Sequence, residues 1–301
     1  MDENHILRHP TLSIVCPVHK MSGKLSQLKK WVTEATSYDG IQVILVHDVG
    51  DVETGIELQQ FIKNLESKPV LITGKFGSPG SARNEGLNLI RGQWTIFWDS
   101  DDVPNIVATL SLIQKIKETD QIAVGQYRET LYNLQVINEP SRKADNFFTL
   151  STNLGIWRML FRSDILKSAR FPALSMAEDL SFVANLNIDP KHICYGQEVI
   201  YNYTVGFPNQ LTSSEKFSKH NQDALFWVLS NLNSDNRKLN RFTWSLISRM
   251  ILIQFPNQFR HKGIQQQIWK LVSRRPQYLL VIYWYCLRHL IVHSLTKFHR
   301  G

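Results

Sequence analysis

Residues 95–102 read TIFWDSDD. Thr95, Ile96, Phe97 and Trp98 are apolar or β-prone, and they run straight into Asp99, Asp101 and Asp102. A strand that ends in packed carboxylates carries a cost, because two unit charges about 4 Å apart repel by roughly 4 kcal/mol at an effective dielectric near 20. Hard divalent cations such as Mg²⁺ or Mn²⁺ take oxygen ligands and complete their shell with substrate phosphates, so a metal-bridged diphosphate would relieve the repulsion. The alternative is a solvated surface turn, where aspartate is common.

Upstream, apolar strands alternate with amphipathic helices. LSIVCPV (12–18), IQVILVHD (41–48) and PVLITG (69–74) are strand-like, and the stretches between them place Leu25, Leu28 and Val32, then Ile56, Phe61, Ile62 and Leu65, on single helical faces. SARNEGLNLIRG (81–92) reads as a helix with Ser81 as its N-cap and Gly92 at its close. This alternation predicts an α/β fold: a Rossmann-like, mostly parallel sheet with helices on both faces. In such sheets ligands bind beyond the carboxyl ends of the strands. Three ends are polar here, at Pro17–Val18–His19, at His47–Asp48 and at Asp99 with its neighbours, which selects one pocket. Within GSPGSARNEGL (77–87), Gly77 and Gly80 let backbone approach a ligand, and Arg83 on the first helical turn could face the same cleft. Neither a G-K-[ST] P-loop nor a G-x-G-x-x-G is present, which disfavours phosphoryl transfer on those scaffolds.

Downstream, PNIVATLSLIQKIK (104–117) predicts a helix with Pro104 at its first position, and IAVGQYRETLYNLQVI (122–137) two strands or one long bent one. A polar linker, NEPSRKADN, follows. SMAEDLSFVANLNI (175–188) is helical by period, and Glu178 and Asp179 near its start also suit the helix dipole. VIYNYTV (199–205) reads as the last strand of the core. Trp157 and Phe161 are candidates for core packing or for stacking on a sugar.

At 301 residues with 43% hydrophobic side chains, the chain is long enough for one large α/β domain, or one such domain with an appendage. Cys16, Cys194 and Cys286 are too far apart for a zinc motif or a disulfide framework. The opening MDENHILRHP lacks the basic n-region and apolar core of a signal peptide, so a cytoplasmic location is expected.

The net charge of +8 is unevenly placed: residues 241–301 hold 10 Lys and Arg and no Asp or Glu. That tail consists of three apolar or amphipathic segments, 242–255, 263–275 and 276–295, interrupted by Pro256 and Pro276. Its longest uncharged apolar piece, YLLVIYWYCL, is about half of what a spanning helix needs. Basic residues interleaved with Trp244, Trp269 and Trp284 suit an interfacial helix on anionic lipid, or else a helical cap with a basic outer face.

LSIVCPVHK, VHD, GSPGSARNEGL, FWDSDD, WRMLFRSDIL, AEDLSF and YNYTVGFPNQLTSS occur in the order found in family 2 glycosyltransferases of the GT-A fold, which residues 11–215 resemble. The family is similar to the bacterial enzymes that build capsule, lipopolysaccharide and other surface glycans. The resemblance implies a donor domain over 1–215, and the composition of the tail predicts a helical, membrane-surface region over 216–301. It implies a nucleotide-sugar donor, a glycan or lipid-linked acceptor, and Mg²⁺ or Mn²⁺. Pro17, Val18 and His19 would line the nucleotide pocket, Asp48 would accept from the uracil ring, and Arg83 would lie by the nucleotide. Asp99 would contact the ribose or metal-bound water, Asp101 would bind the metal, Asp179 would be the general base and Glu178 its support. Two departures stand out: His19 and Lys20 follow the first-strand Pro-Val, where the family more often has Tyr or Phe then Asn, and only Asp48 remains of an acidic pair after the second strand.

Three other functional classes fit the sequence less well. A nucleic-acid binder would need basic residues that track phosphates, whereas these are interspersed with apolar runs, so no nucleic-acid partner is expected. A nucleotidyltransferase acting on a sugar phosphate would open with a glycine-rich loop, where CPVHKMSG offers only Gly23 and Lys24. A non-catalytic sugar-binding module would show no donor hydrolysis.

Overall fold

The structure is a computed structural model that describes residues 11–131, 135–138, 143–174, 176–205, 217–234, 238–254, 262–274 and 276–298. The boundary at 215, part of the NEPSRKADN linker and the GFPNQLTSS stretch lie outside the described residues. In chain order the elements are β1 (Leu12–Val18), α1 (Ser26–Thr36), β2 (Ile41–Asp48), α2 (Val52–Lys63), β3 (Val70–Gly74), α3 (Pro79–Leu87), β4 (Trp94–Phe97), β5 (Val103–Pro104), α4 (Ile106–Ile113), β6 (Ile122–Leu131) and β7 (Val136–Asn138). There follow α5 (Phe147–Thr152), β8 (Met159–Arg162), α6 (Glu178–Leu186), β9 (Ile193–Val205), α7 (Phe217–Ser234), α8 (Arg241–Gln254), α9 (Lys262–Arg274) and α10 (Gln277–Phe298).

Two compact units are present. The first holds the sheet with α1–α4, in the order β3-β2-β1-β4-β8-β6-β9-β5, with β7 beside β6. β1, β2, β3 and β4 pair in parallel, with Val18 opposite His47 and Asp48 opposite Gly74. That register brings the carboxyl ends of β1, β2 and β3 level, and β4 runs beside β1 in the same direction. β8 pairs antiparallel with both β4 and β6. The expected α/β fold is therefore observed. The apolar runs reflect burial on both faces: Leu12, Ile14, Val15 and Cys16 of β1 are wholly buried, as are Ile44 and Leu45 of β2.

The second unit is helical and carries α5–α10. α8 packs on α5, α7 and α10. Asn187, left-handed at φ 52°, closes α6, and its side chain reaches the start of α8: Oδ1 accepts from Asn240 N at 3.0 Å and from Thr243 Oγ1 at 3.0 Å. Among the described residues no helix is long and apolar enough to cross a membrane.

Several boundaries differ from the sequence reading. The N-cap of α3 is Ser78, not Ser81: Ser78 is extended, Pro79 takes the first helical position, and the Ser78 hydroxyl accepts from Ser81 N at 3.2 Å. α3 ends at Leu87, well before Gly92, where Asn88 N and Leu89 N bond the carbonyls of Glu85 and Gly86. Pro104 belongs to β5 rather than to a helix, because Asn105 caps α4 by accepting from Ala108 N at 2.9 Å. The 122–137 segment forms two strands, β6 and β7, with a register shift between Glu129 and Thr130.

Candidate active site at the strand ends

The polar residues beyond β1, β2 and β4 all lie in the first unit. Pro17 is half-buried in β1 and Val18 is buried at its end, while His19 is exposed just beyond it. The loop that follows is held by one face of α2. Lys20 N donates to Asp51 Oδ2 at 2.5 Å, Met21 N to Thr54 Oγ1 at 2.9 Å and Gly23 N to Glu57 Oε1 at 2.9 Å. Asp51, Thr54 and Glu57 are spaced by three, so a single helical edge satisfies three loop amides.

Asp48 ends β2 and organises the next loop. Its Oδ1 accepts from Gly50 N at 3.1 Å, and its Oδ2 accepts from Phe76 N and Gly77 N, each at 3.0 Å. These amide bonds, with that from Gly77 foremost, lower the Asp48 pKa to about 2. Gly77 has φ +71°, a backbone state that a side chain would strain. A carboxylate offers about four acceptor positions, so Asp48 retains one for a ligand donor.

Arg83 and Asp99 come together. Arg83 is buried on α3, and its Nη2 lies 2.7 Å from Asp99 Oδ1. Since the cap sits at Ser78, Arg83 is the fifth residue of its helix rather than part of the first turn. Asp102 turns inward and is 1% exposed, accepting from Tyr201 Oη at 2.8 Å and from Thr204 N at 2.6 Å. The Tyr201 hydroxyl also accepts from Asp99 N at 3.1 Å, so one buried oxygen bridges two aspartates of the cluster. The antiparallel pairing of β5 with β9, Pro104 opposite Tyr201, brings this tyrosine in from a hundred residues away. Burial, then Asp101 and Asp99, raise the Asp102 pKa well above the carboxylate range, and burial followed by Asp102 raises that of Tyr201. Trp157 stacks on Tyr201 at 4.6 Å and Tyr203 at 5.4 Å, and Phe161 packs its edge on Phe97 at 5.9 Å. Both aromatics are used in packing.

Asp101 differs from its neighbours. Burial, followed by the Asp99 charge, raises its pKa to about 6. Asp99 is committed to Arg83, and Asp102 to Tyr201 and Thr204, which leaves Asp101 as the oxygen donor that a cation would stabilise most. Among the described residues no three His, Cys, Asp or Glu side chains converge as a ready-made metal site. A single carboxylate donor such as Asp101 is compatible with Mg²⁺ or Mn²⁺, which proteins commonly bind through one or two carboxylates together with substrate phosphates.

Cys16 lies buried under the cluster, where burial and then Asp99 raise its thiol pKa well above the usual value.

Glu178 and Asp179 belong to the second unit and open α6. Glu178 is buried, and Asp179 Oδ1 accepts from Leu180 N at 2.6 Å. Ala177, immediately before them, is left-handed at φ 58°, which costs a non-glycine residue about 1–2 kcal/mol. Strain of this kind concentrates at functional sites.

Sequence reasoning missed Tyr201 as the bridge within the carboxylate cluster, and it missed the α2 edge that holds the loop after β1. YNYT was readable as a strand, but nothing in it reports pairing with β5. For the α2 edge the signal was present, as acidic and hydroxyl residues three apart facing a glycine-containing loop.

Several known proteins are similar to this chain. The poly(ribitol-phosphate) beta-glucosyltransferase of Bacillus spizizenii is 26% identical over 213 residues, 64% of this chain and 32% of its own length. Glycosyltransferase GlyA of Streptococcus pneumoniae is 21% identical over 213 residues, 64% of this chain and 30% of its own. The chain thus spans about a third of the length of these relatives. Among solved structures, S. aureus TarS 1-349 in complex with UDP-GlcNAc superposes with a TM-score of 0.64 at 15% identity, over 90% of this chain and 81% of that one. The mannosyltransferase PcManGT from Pyrobaculum calidifontis, in complex with GDP-Man and Mn²⁺, gives 0.60 at 12% identity, over 96% and 87%. At such identities the superpositions speak for the fold, which is GT-A. The model of Glycosyl transferase family 2 matches residues 13–175, more than half of the chain, and with the strand-end carboxylates in place the chain belongs to that family.

Proposed function

We propose that the protein is an inverting, metal-dependent glycosyltransferase. It moves a sugar from a nucleoside diphosphate donor, a UDP-sugar, to a hydroxyl of a glycan or lipid-linked acceptor in the assembly of a cell-surface polysaccharide. The observation that carries this reading is Asp101, a partly buried carboxyl with a pKa near 6 between two aspartates already committed to other partners. Related proteins named for UDP-GlcNAc, GDP-Man and Mn²⁺ support the donor class and the metal, and a poly(ribitol-phosphate) glucosyltransferase among the relatives supports a surface-polymer acceptor.

In this reading Pro17, Val18 and His19 form the wall beside the nucleotide. Asp48 accepts from the base with its remaining acceptor position, while its other three hold the loops after β2 and β3 in shape. Arg83 holds Asp99 in place on the ribose side of the pocket. Asp101 would hold the divalent cation, which when bound would supply Lewis-acid stabilisation of negative charge on the departing diphosphate. Asp179 takes the proton from the acceptor hydroxyl as that oxygen attacks the anomeric carbon and the bond to the diphosphate oxygen breaks, inverting the configuration. Glu178 supports it from the buried side of α6. Residues 1–215 carry the donor chemistry and 216–301 the attachment to the inner face of the cell membrane. α5 and α6 group with the later helices, so that division separates roles rather than folding units.

The test is a panel of UDP- and GDP-sugars assayed for hydrolysis with Mg²⁺, with Mn²⁺ and with chelator. One donor class is expected to be turned over with metal only, and Asp101→Ala is expected to lose metal-dependent nucleotide binding. Equal indifference to every donor, with or without metal, would remove the proposal.

A further inference from the structure

α10 is apolar on two opposite sides. Tyr278, Ile282, Tyr285 and His289, spaced by four, three and four, are buried, and α10 packs on α8. At 100° per residue, Leu280, Tyr283, Trp284, Leu287 and Ile291 point the other way, and all are exposed: Leu280 by 72%, Tyr283 by 67% and Trp284 by 60%. α9, which touches α10, adds Trp269 at 72% exposure. An uncovered stripe that continues over three helical turns is more than the isolated surface leucine of an ordinary soluble protein.

The charges near the stripe identify what covers it. Residues 241–301, which contain α8, α9 and α10, carry 10 Lys and Arg and no acidic side chain. Lys270 and Arg274 on α9 are exposed, and so is Arg288 on α10, whose guanidinium lies over the Phe148 ring at 4.1 Å. A second copy of this chain docking stripe to stripe would bring like charges together, whereas an anionic phospholipid surface neutralises them. Trp and Tyr are also the side chains that settle at a membrane–water boundary, with the ring in the apolar layer and the polar atom at the headgroups.

We infer that the outward face of α10, with Trp269 of α9, is the surface on which this protein docks to a bilayer rich in anionic phospholipid, the helix lying in the interface rather than crossing it. The inference deepens the proposed membrane attachment by naming the face that makes it, and it rests on that reading for its purpose only.

The experiment uses the full chain and co-sedimentation with vesicles of phosphatidylglycerol mixed with phosphatidylcholine, or of phosphatidylcholine alone. Wild type is expected to bind the anionic vesicles, to bind the neutral ones weakly, and to be released progressively by salt. Trp284→Ser combined with Leu287→Ser is expected to lower the partition coefficient about tenfold or more, since each buried side chain of this size contributes at least that factor. Trp284 is 60% and Leu287 39% exposed, so the variant's melting temperature is expected to stay close to wild type. Lys270→Glu combined with Arg274→Glu is expected to weaken binding to anionic vesicles while leaving the neutral-vesicle signal unchanged. Unchanged binding by the Trp284/Leu287 variant overturns the inference. So does a wild-type dimer in sedimentation velocity without lipid that this variant turns into monomer, because the stripe would then be an interface between copies. Donor hydrolysis is read separately without acceptor or vesicles: its failure removes the proposed chemistry and leaves the docking result standing, and the converse also holds.

Discussion

Tyr201→Phe isolates the most deeply buried bond of the carboxylate cluster. The substitution keeps the ring and its stack on Trp157 at 4.6 Å, so no cavity is opened. What goes is one oxygen, which accepts from Asp99 N at 3.1 Å and donates to Asp102 Oδ2 at 2.8 Å. Tyr201 is 0% exposed and Asp102 1%, so water cannot take over the lost bond to Asp102. A buried polar group left without its partner costs about 1–3 kcal/mol, and two such groups put the expected loss at roughly 2–6 kcal/mol. Urea unfolding followed by tryptophan fluorescence reads this as a fall in midpoint of about 1 M at unchanged slope. Asp102→Asn in the same background closes a double-mutant cycle, and the pair together is expected to cost less than the two single losses added, because they share a bond. A Tyr201→Phe midpoint indistinguishable from wild type would show that the hydroxyl bridge contributes nothing, and the explanation of how the cluster tolerates three carboxylates would fall with it.

Other expectations follow from the same geometry. Asp179→Asn is expected to reduce sugar transfer by about 10²–10⁴ while leaving nucleotide affinity by calorimetry near wild type; turnover at the wild-type rate would remove Asp179 as the base. Gly86→Ala places a methyl group 2.3 Å from Val15 Cγ1 where α3 packs on β1, and a loss of roughly 1–3 kcal/mol in unfolding free energy is expected, with no loss contradicting the packing. His289 is buried against Phe148 at 4.5 Å, and burial lowers its pKa to about 4. The unfolded chain binds this proton near pH 6.5 and the folded chain near 4, so His289 stabilises above about 6.5 and that contribution is lost as pH falls toward 4. The loss is up to about 3 kcal/mol. His289→Phe is expected to flatten the melting temperature over that window, and an unchanged slope would exclude a buried neutral imidazole.

The sequence reading and the structure agree where burial alone sets the pattern. β1, β2 and β4 are buried along most of their length, so their runs are largely apolar, and the acidic residues that follow β4 could be placed at a strand end without coordinates. Boundaries decided by competing caps were less legible. SPGS offers two serines, and only the extended backbone at Ser78 with Pro79 next to it decides between them. Pro104 suited a helix start, yet Asn105 was the stronger cap and freed Pro104 for a two-residue strand. The Tyr201 bridge was not legible at all, because a hydroxyl a hundred residues away is recruited by strand pairing, and pairing leaves no mark on either segment by itself. α10 was legible as apolar but not as two-sided, since periodicity does not reveal which face a neighbouring helix covers.

The sulfur of Cys16, shut beneath the aspartates, gives the protein a built-in clock. Because burial and the adjacent charges hold it as the thiol, alkylating reagents have no thiolate to attack while the central strand stays in place. Cys194 is likewise raised by burial and Cys286 is raised to about 11, so the folded chain presents a chemically quiet background. The rate at which Cys16 becomes labelled therefore times the opening of β1 itself, and if the proposed donor site is correct, a nucleotide added to the protein is expected to slow that rate without touching the sulfur.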